Sequence, residues 1–320
     1  MSESIIKLEN VSKTFRLGLL GKTVIKAVDR VNMEIRKGET LGILGESGSG
    51  KSTIAKMILK IYSPSYGRIL YRGRDIKEFK GSKGLKEYYR HVQGVFQDPY
   101  ASFNPRRRVL DVLRDVMKNY YPTLPPEDID REISTALEKV GLNISEVAGR
   151  YPHEFSGGQL QRLSIARALL VKPEVIIADE PVSMIDASTR IDILNIFIDL
   201  KETEGLTVAI IGHDLGLTRY ASDRVVVLYR GQIVEEGPAE ILNEPSHPYT
   251  QMLAKAIPRI DKKWDSKIEY GVGSLALGAT GVGCVFADRC PYAMDICRRE
   301  EPPMVDLGKA KVKCWLYTKK

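Results

Sequence analysis

The first 283 residues of this 320-residue chain contain no cysteine, and all four cysteines fall late, at Cys284, Cys290, Cys297 and Cys314. So few and so clustered, they exclude the disulfide scaffold of a small secreted domain. No uninterrupted apolar run approaches the roughly 18 residues of a membrane-spanning helix. The opening MSESIIKLEN lacks the basic-then-apolar order of a secretory signal, so the chain is expected to stay in the cytosol. An internal repeat is also missing, and so is any dense block of lysine and arginine. The formal charge of +7 is spread among acids and reads as a solvated surface with phosphate ligands among it, with no nucleic acid partner expected. A hydrophobic fraction of 43% suffices for one large α/β domain with an appendage, or for two modest domains.

The chain is punctuated as strand, loop and helix. TLGILG (40–45) is a short buried-strand candidate that runs into GESGSGKST and then a helix with Ile54, Met57, Ile58 and Ile61 on one face. EVIIADE (174–180) and LTVAIIGHD (206–214) are near-continuous apolar runs, the pattern of a parallel sheet covered on both faces. Ahead of the first loop, IIKLENVSKTF and VDRVNMEI read as antiparallel strands, and RVVVLYRGQIVEEG reads as a hairpin turning at Arg230 and Gly231. Between about 100 and 170 the pattern is mostly helical, broken at YPTLPPED, which predicts a separate helical lobe. After Pro245 the composition changes: SHPYTQML opens one more helix, a Gly-rich GVGSLALGATGVG follows, and then the cysteines.

GESGSGKST fits G-x-x-x-x-G-K-[ST], and it lies between a buried strand and a helix N-terminus, where a phosphate-binding loop has to be. Gly45, Gly48 and Gly50, with Ser47 and Ser49 between them, let the backbone curl so that successive N–H groups face one anion. The dipole of the helix that opens at Lys51, Ser52 and Thr53 adds to the attraction. Lys51 reaches the β and γ phosphates in such a loop, and the Ser52 hydroxyl binds Mg²⁺. A strand delivering Asp179 and Glu180 at its C-terminal end places two carboxylates where open α/β sheets bind ligands. Asp179 suits the magnesium shell, and Glu180 suits polarising a water for phosphoryl transfer. Alone, such a pair is commonly just the start of a solvated loop. By the same standard His213 is more often a structural histidine, and Gln97 in VFQDPY an ordinary surface amide, until company places them.

Taken in order, GESGSGKST, VFQDP, EFSGGQLQR, VIIADEP, SMID and IIGHD resemble the nucleotide-binding subunit of an ATP-binding cassette (ABC) transporter, and the resemblance covers nearly the whole chain. It implies an α/β P-loop NTPase (RecA-like) core with an N-terminal antiparallel β subdomain and a helical subdomain at about 98–170. The ABC ATPase domain would occupy 1–245, and 246–320 would be a C-terminal extension. It also implies roles: Gln97 touches Mg²⁺ and the attacking water, Glu180 is the catalytic glutamate, His213 contacts the γ-phosphate, and Asp186 is the D-loop aspartate. Phe15 matches the aromatic position that stacks on adenine, where tyrosine is commoner. Met184-Ile185 replaces the usual Ala-Leu, and Phe155 replaces the usual leucine of the signature. None of these departures removes a chemical group, so an active ATPase is expected, not a degenerate site.

Ser156, Gly157, Gly158 and Gln159 form a second anion-binding helix start in a chain with a single phosphate loop. The resemblance implies that the two lie far apart within one subunit, so that each cap closes over a partner's ATP in a head-to-tail dimer. Soluble ABC ATPases not coupled to transport are the alternative; they typically carry two cassettes or long coiled-coil inserts, which are absent here.

DPYASFNPRRRV, YPHEFSGGQ, EPSHPYTQMLAKAIP and GCVFADRCPYAMDIC resemble the oligopeptide, dipeptide and nickel importer branch, some of whose members carry oligosaccharides. The partners implied are a second, paralogous ABC ATPase subunit, two transmembrane permease subunits and an extracytoplasmic solute-binding protein, with this chain peripheral at the cytoplasmic face of the membrane. The cysteine spacing C-x5-C-x6-C-x16-C fits neither the usual zinc ribbon nor either ferredoxin pattern, so free thiols, zinc and an iron-sulfur cluster all stay open from spacing. The resemblance implies a structural [4Fe-4S] cluster on Cys284, Cys290, Cys297 and Cys314. GVGSLALGATGVG has no Lys-Ser/Thr after it and reads as a linker.

Overall fold

The computed structural model describes residues 3–17, 23–255 and 282–318. The chain divides into two compact units, one formed by Met1–Lys7, Glu34–Thr40 and Ile69–Ile211, the other by Leu8–Met33, Leu41–Arg68 and Gly212–Lys320.

In the first unit the apolar runs become parallel strands. Val92–Val95 pairs with Val175–Asp179 in the register Val92↔Val175, and that strand pairs with Thr207–Gly212 in the register Val175↔Thr207. Val175 to Ala178 and Val208, Ala209 and Ile211 are all fully buried, as strands covered on both faces must be. The helical lobe is present as Val109–Tyr120, Pro126–Glu138, Ile144–Val147 and Gly157–Leu169. Its break falls at YPTLPPED because Pro126 takes the first helical position, where its missing N–H is not needed, and Glu127 and Asp128 follow at the positive end of the helix. Buried Leu110, Leu113 and Met117 on one helix, and Ile129, Ile133 and Leu137 on the next, recur every three or four residues and set the faces that pack. Arg167 is also drawn into this lobe, with its guanidinium 4.7 Å from the Phe103 ring centre and a hydrogen bond donated to the Ser102 carbonyl. Ala187–Glu204 ends at Gly205, whose φ of 66° is the left-handed cap that frees the chain to turn.

In the second unit Thr40–Leu44 runs parallel to Arg224–Tyr229, with Leu41 opposite Arg224. The expected hairpin follows: Arg230 and Gly231, at φ 44° and 79°, join Arg224–Tyr229 to Gln232–Pro238 through a two-residue turn with both φ positive, which matches strand twist. Two strands that no alternation in the sequence announces then extend this sheet. Lys311–Lys313 pairs antiparallel with Gln232–Pro238, and Met304–Asp306 pairs with Lys311–Lys313. At three residues each they are too short to show a period.

The helix Lys51–Ile58 buries Ile54, Met57 and Ile58 as expected, but not Ile61, which is 51% exposed. Lys60 has a positive φ of 55° and the Ile61 N–H returns to the Lys56 carbonyl at 2.8 Å, so the chain reverses before Ile61 can continue the apolar face. The stretch GVGSLALGATGVG lies outside the described residues except for its last two, so its reading as a linker has no structural counterpart.

The expected late helix runs from Pro248 to Lys255. Its start is capped by a buried acid: Glu235 accepts from the N–H groups of Ser246 (2.7 Å) and His247 (3.1 Å). His247 is 1% exposed, and its Nδ1 accepts the Tyr249 N–H at 3.1 Å, which fixes a neutral tautomer. Burial lowers the His247 pKa from 6.5 to about 4, against a smaller opposing contribution from the Lys313 backbone. The unfolded chain therefore binds the extra proton between pH 6.5 and about 4, and stability is lost as pH falls through that window. His247→Gln removes this titration, so the stability gap between wild type and variant, from denaturant midpoints, should narrow by about 2 kcal/mol between pH 7.5 and pH 5.

Candidate functional site

The phosphate loop lies in the second unit, between the strand Thr40–Leu44 and the helix Lys51–Ile58. Gly45, Gly48 and Gly50 adopt φ of 151°, 80° and 106°, a curl that an L side chain rarely follows. A Cβ on Gly45 would stand 2.3 Å from the Leu228 carbonyl, and one on Gly50 would stand 2.4 Å from the Ala27 carbonyl, so the loop is threaded against backbone on both sides. Lys51 is only 4% exposed and turns back into the loop, its Nζ donating to the carbonyls of Gly45 (2.7 Å) and Glu46 (2.9 Å). The Ser49 N–H closes the turn on the Glu46 carbonyl at 3.1 Å, and the Gly231 N–H holds the Ser49 carbonyl at 2.8 Å. Ser47 and Gly48 are exposed at the mouth, while Ser52 and Thr53 are half-buried on the first turn of the helix. The Ser49 Oγ is buried without a hydrogen-bond partner among the described residues, an orphaned polar atom that fits a loop whose polar groups face an anion.

Phe15 lies in the same unit, its ring edge-on to Tyr62 at 5.4 Å with the Lys13 ammonium 5.2 Å from its centre. Tyr62 follows the helix end and carries no motif, so sequence reasoning missed it. His213 is exposed, between the strand Thr207–Gly212 and the helix Leu215–Ala221, whose first turn Asp214 caps by accepting from the Leu217 N–H at 2.9 Å.

The first unit holds the remaining motif residues. Asp179 ends its strand buried, at 7% exposure, and Glu180 leaves it with φ +49°, a left-handed backbone that costs a non-glycine residue about 1–2 kcal/mol. The surroundings over-determine this strain: the Glu180 N–H donates to Ile211 at 2.9 Å, and its carboxylate accepts from the Ser183 hydroxyl at 2.8 Å. Such strain collects at functional positions.

Ser156 is the N-cap of Gly157–Leu169, as its position predicts. Its Oγ accepts the Gln159 N–H at 3.2 Å while the Gln159 side chain accepts the Ser156 N–H at 3.1 Å, a reciprocal capping box. Ser156 is exposed, and an accepting Oγ keeps its own proton available to an outside acceptor. Phe155 is buried beneath the Arg150 guanidinium, 4.1 Å from its ring centre, so the larger ring is accommodated.

The unit also brings the signature and the D-loop together. A methyl on Gly157 would be 3.5 Å from the Met184 carbonyl, and one on Gly158 3.5 Å from Thr189 Oγ1. Between these contacts Asp186 is exposed at the start of Ala187–Glu204, with Ile185 buried and Met184 58% exposed. Gln97 is exposed just past Val92–Val95, and the signature helix reaches its neighbour through Gln161 Nε2, 3.4 Å from the Phe96 carbonyl.

The family model for ABC transporters matches residues 28–183, and that for the oligopeptide/dipeptide transporter C-terminal region matches 234–297. The oligopeptide transport ATP-binding protein AppF of Bacillus subtilis (strain 168) is 42% identical over 99% of this chain and 98% of its own length. The chain belongs to the ABC transporter family. The oligopeptide transport ATP-binding protein OppF of Haemophilus influenzae is 40% identical over 87% of this ABC protein and 85% of its own length. A solved dimeric post-hydrolysis state of the ATP-binding cassette MJ0796, bound to ADP and Pi, superposes with a TM-score of 0.66 at 29% identity, covering 73% of this chain and 98% of that one. These relatives carry peptide names, so the oligosaccharide alternative rests on the branch resemblance alone.

The four cysteines of this ABC protein lie in one small lobe. Cys297 and Cys314 are buried, and Cys284 and Cys290 half-buried. The Cys284 N–H donates to the Cys297 carbonyl at 2.7 Å. Burial raises the pKa of Cys284, Cys290 and Cys314, that of Cys314 to about 11, and each of these thiols accepts a backbone N–H from the residue two positions on, which opposes the rise. The Cys314 thiol is also close enough to the other three for their charge to raise its pKa. Among the described residues no three histidine, cysteine or acidic side chains are grouped as metal ligands would be, so the placement of these side chains does not support the expected metal centre. The thiols fit a thiolate-held group in their N–H donors and shared lobe, not in ligand convergence.

Gly50→Ala forces a methyl against the Ala27 carbonyl at an unfavourable φ, whereas Gly48 has open space within 4 Å of its added methyl. Gly50→Ala should cost a few kcal/mol and abolish nucleotide binding; Gly48→Ala should cost about 1–2 kcal/mol, both read by thermal melting and by MgATP titration.

Proposed function

We propose that this chain is the ATP-hydrolysing subunit of a peptide importer, acting at the cytoplasmic face of the membrane on two permease subunits fed by an extracytoplasmic binding protein, beside a second, paralogous ATPase subunit. The observation that carries the reading is the phosphate loop: a buried Lys51 folded onto a glycine curl, with an unpartnered Ser49 hydroxyl inside it. Cargo and direction rest on the peptide names of relatives matched along 99% of the chain. No helix among the described residues is long and apolar enough to cross a membrane, so the passage belongs to other subunits in this reading.

In this reading Gly45–Thr53 cradle the triphosphate with backbone N–H groups and Lys51, and Phe15 stacks on adenine. By the family resemblance Ser52, Asp179 and Gln97 would be the Mg²⁺ ligands, and the ion when bound would offset charge on the phosphates. Glu180 takes the proton of the attacking water, and His213 contacts the γ-phosphate. Ser156 to Gln159, with Asp186 beside them, close on the partner's nucleotide. The partner's γ-phosphate thus bridges two subunits, and hydrolysis removes the bridge, so ATP shifts an open–closed equilibrium by differential affinity.

Glu180→Gln removes the base and keeps the shape. Its turnover should fall by about 10²- to 10⁴-fold while an ATP-bound dimer accumulates on size-exclusion chromatography, and unchanged hydrolysis would remove its assigned role. Ser156→Ala or Gly158→Ala should lower hydrolysis in the assembled transporter with MgATP affinity of the isolated chain held within about twofold. Absence of membrane subunits from detergent-solubilised pull-downs would favour the soluble ATPase alternative.

We infer further that the cysteine lobe holds a structural [4Fe-4S] cluster. The support is four thiols in one half-buried lobe, where burial raises the pKa of Cys284, Cys290 and Cys314 and a backbone N–H to each offsets part of that rise. Anaerobically purified protein should show broad visible absorbance with iron and sulfide in equal amounts. Zinc without colour, or four titratable thiols with no metal, would each overturn the inference.

A further inference from the structure

Glu46, the second residue of the phosphate loop, has each of its polar groups engaged, and two of the partners come from the C-terminal region. Its carbonyl accepts from Lys51 Nζ at 2.9 Å and from the Ser49 N–H at 3.1 Å, both inside the loop. Its N–H, however, donates to Tyr249 Oη at 2.8 Å, and Tyr249 is fully buried on the helix Pro248–Lys255. Its carboxylate is gripped at both oxygens by the Arg289 fork, at 2.8 and 3.0 Å. Arg289 ends the 3₁₀ turn Ala287–Arg289, directly before Cys290. Phe286, at 1% exposure, packs edge-on to Tyr229 at 5.2 Å and tilted to Tyr249 at 5.4 Å, so the turn is seated on the same aromatic group that carries the Tyr249 hydroxyl.

This arrangement has an electrostatic consequence. A carboxylate in a loop built to surround a triphosphate opposes binding unless its charge is offset, and the bidentate guanidinium offsets it. We propose that Arg289 and Tyr249 are positioning residues for the phosphate loop, through which the folded C-terminal lobe sets nucleotide affinity. The inference rests on reading Gly45–Thr53 as the ATP site. Arg289 neutralises Glu46 and fixes where its side chain points; Tyr249 fixes the Glu46 N–H and with it the entry to the curl. A loosened lobe releases both, and the loop then meets the nucleotide with an uncompensated negative charge.

The test is MgATP affinity of the full-length chain, measured by titration calorimetry. Arg289→Ala should raise Kd about tenfold, equivalent to ~1.4 kcal/mol. Arg289→Lys, which keeps the charge and loses the fork, should fall between it and wild type. The double variant Glu46→Gln/Arg289→Ala should recover to within about threefold of wild type, because the charge to be offset is gone; a purely structural Arg289 would show no such recovery. Wild-type affinity in Arg289→Ala, or a double variant no tighter than the single, overturns the proposal. If Arg289→Ala does not fold, Tyr249→Phe decides instead: it removes the acceptor hydroxyl and keeps the ring, and should weaken MgATP about threefold at an unchanged melting temperature, with unchanged affinity counting against the proposal. Lys51→Ala separates the two readings. If it too binds MgATP normally, the site assignment itself fails; if it abolishes binding while Arg289→Ala does nothing, only the clamp fails.

Discussion

Lys51 is an ammonium group taken out of water, and the carbonyls of Gly45 and Glu46 replace its hydration at 2.7 and 2.9 Å. Burying a charge costs several kcal/mol unless such partners are already in place, so the loop must be curled before the lysine can settle. The glycines follow from that need: the curl requires φ values open to glycine, and two of the three pass so close to backbone that a methyl would collide. The buried strand Thr40–Leu44 follows as well, because it delivers the loop from a sheet rigid enough to hold it.

The other half of the chemistry is set by a different constraint, the exit of the chain from a buried strand. Asp179 ends a strand in which every residue is buried, and Glu180 must leave it in a left-handed conformation held by Ile211 and Ser183. The chain that leaves this corner passes Met184 and Ile185, against which the glycines of the signature lie. A methyl at Gly157 or Gly158 would meet the Met184 carbonyl or Thr189 Oγ1 only at ordinary van der Waals distance, 3.5 Å in each case, so local packing does not by itself require this pair of glycines. The capping box uses the Ser156 and Gln159 groups on one another, which stiffens the helix start by about 1 kcal/mol and presents the serine proton outward.

The C-terminal lobe joins its unit by ordinary means. Strand Lys311–Lys313 extends the sheet at Gln232–Pro238, and Phe286, Ala310, Val312 and Cys314 enter the hydrophobic cluster that contains Val225, Val227 and Tyr249. Burial of this kind contributes about 1.5–3 kcal/mol for each large side chain, enough to fix where Arg289 stands. An appendage packed this firmly can transmit its own state to the loop it touches.

Much of this was legible in residue order. The phosphate loop, the strand ending in Asp179 and Glu180, the turn at Arg230 and Gly231, and the cap at Ser156 each depend on neighbours within about ten residues, so local patterns carry them. Ile61 misled because three preceding residues shared its spacing, and only the reversal at Lys60 removes it from the face. Tyr62 beside Phe15, the strands Met304–Asp306 and Lys311–Lys313, and the grip of Arg289 on Glu46 carry no local signal. The last pair is separated by 243 positions. The amino-acid order by itself determined the family, the parallel α/β core and the chemical identity of the nucleotide motifs, because those reside in short runs whose backbone conformation and side-chain chemistry are set together. The tertiary structure alone decided which distant groups neutralise and brace those motifs, because a charge is offset by whatever the fold brings within hydrogen-bonding distance, however far away in the chain it begins.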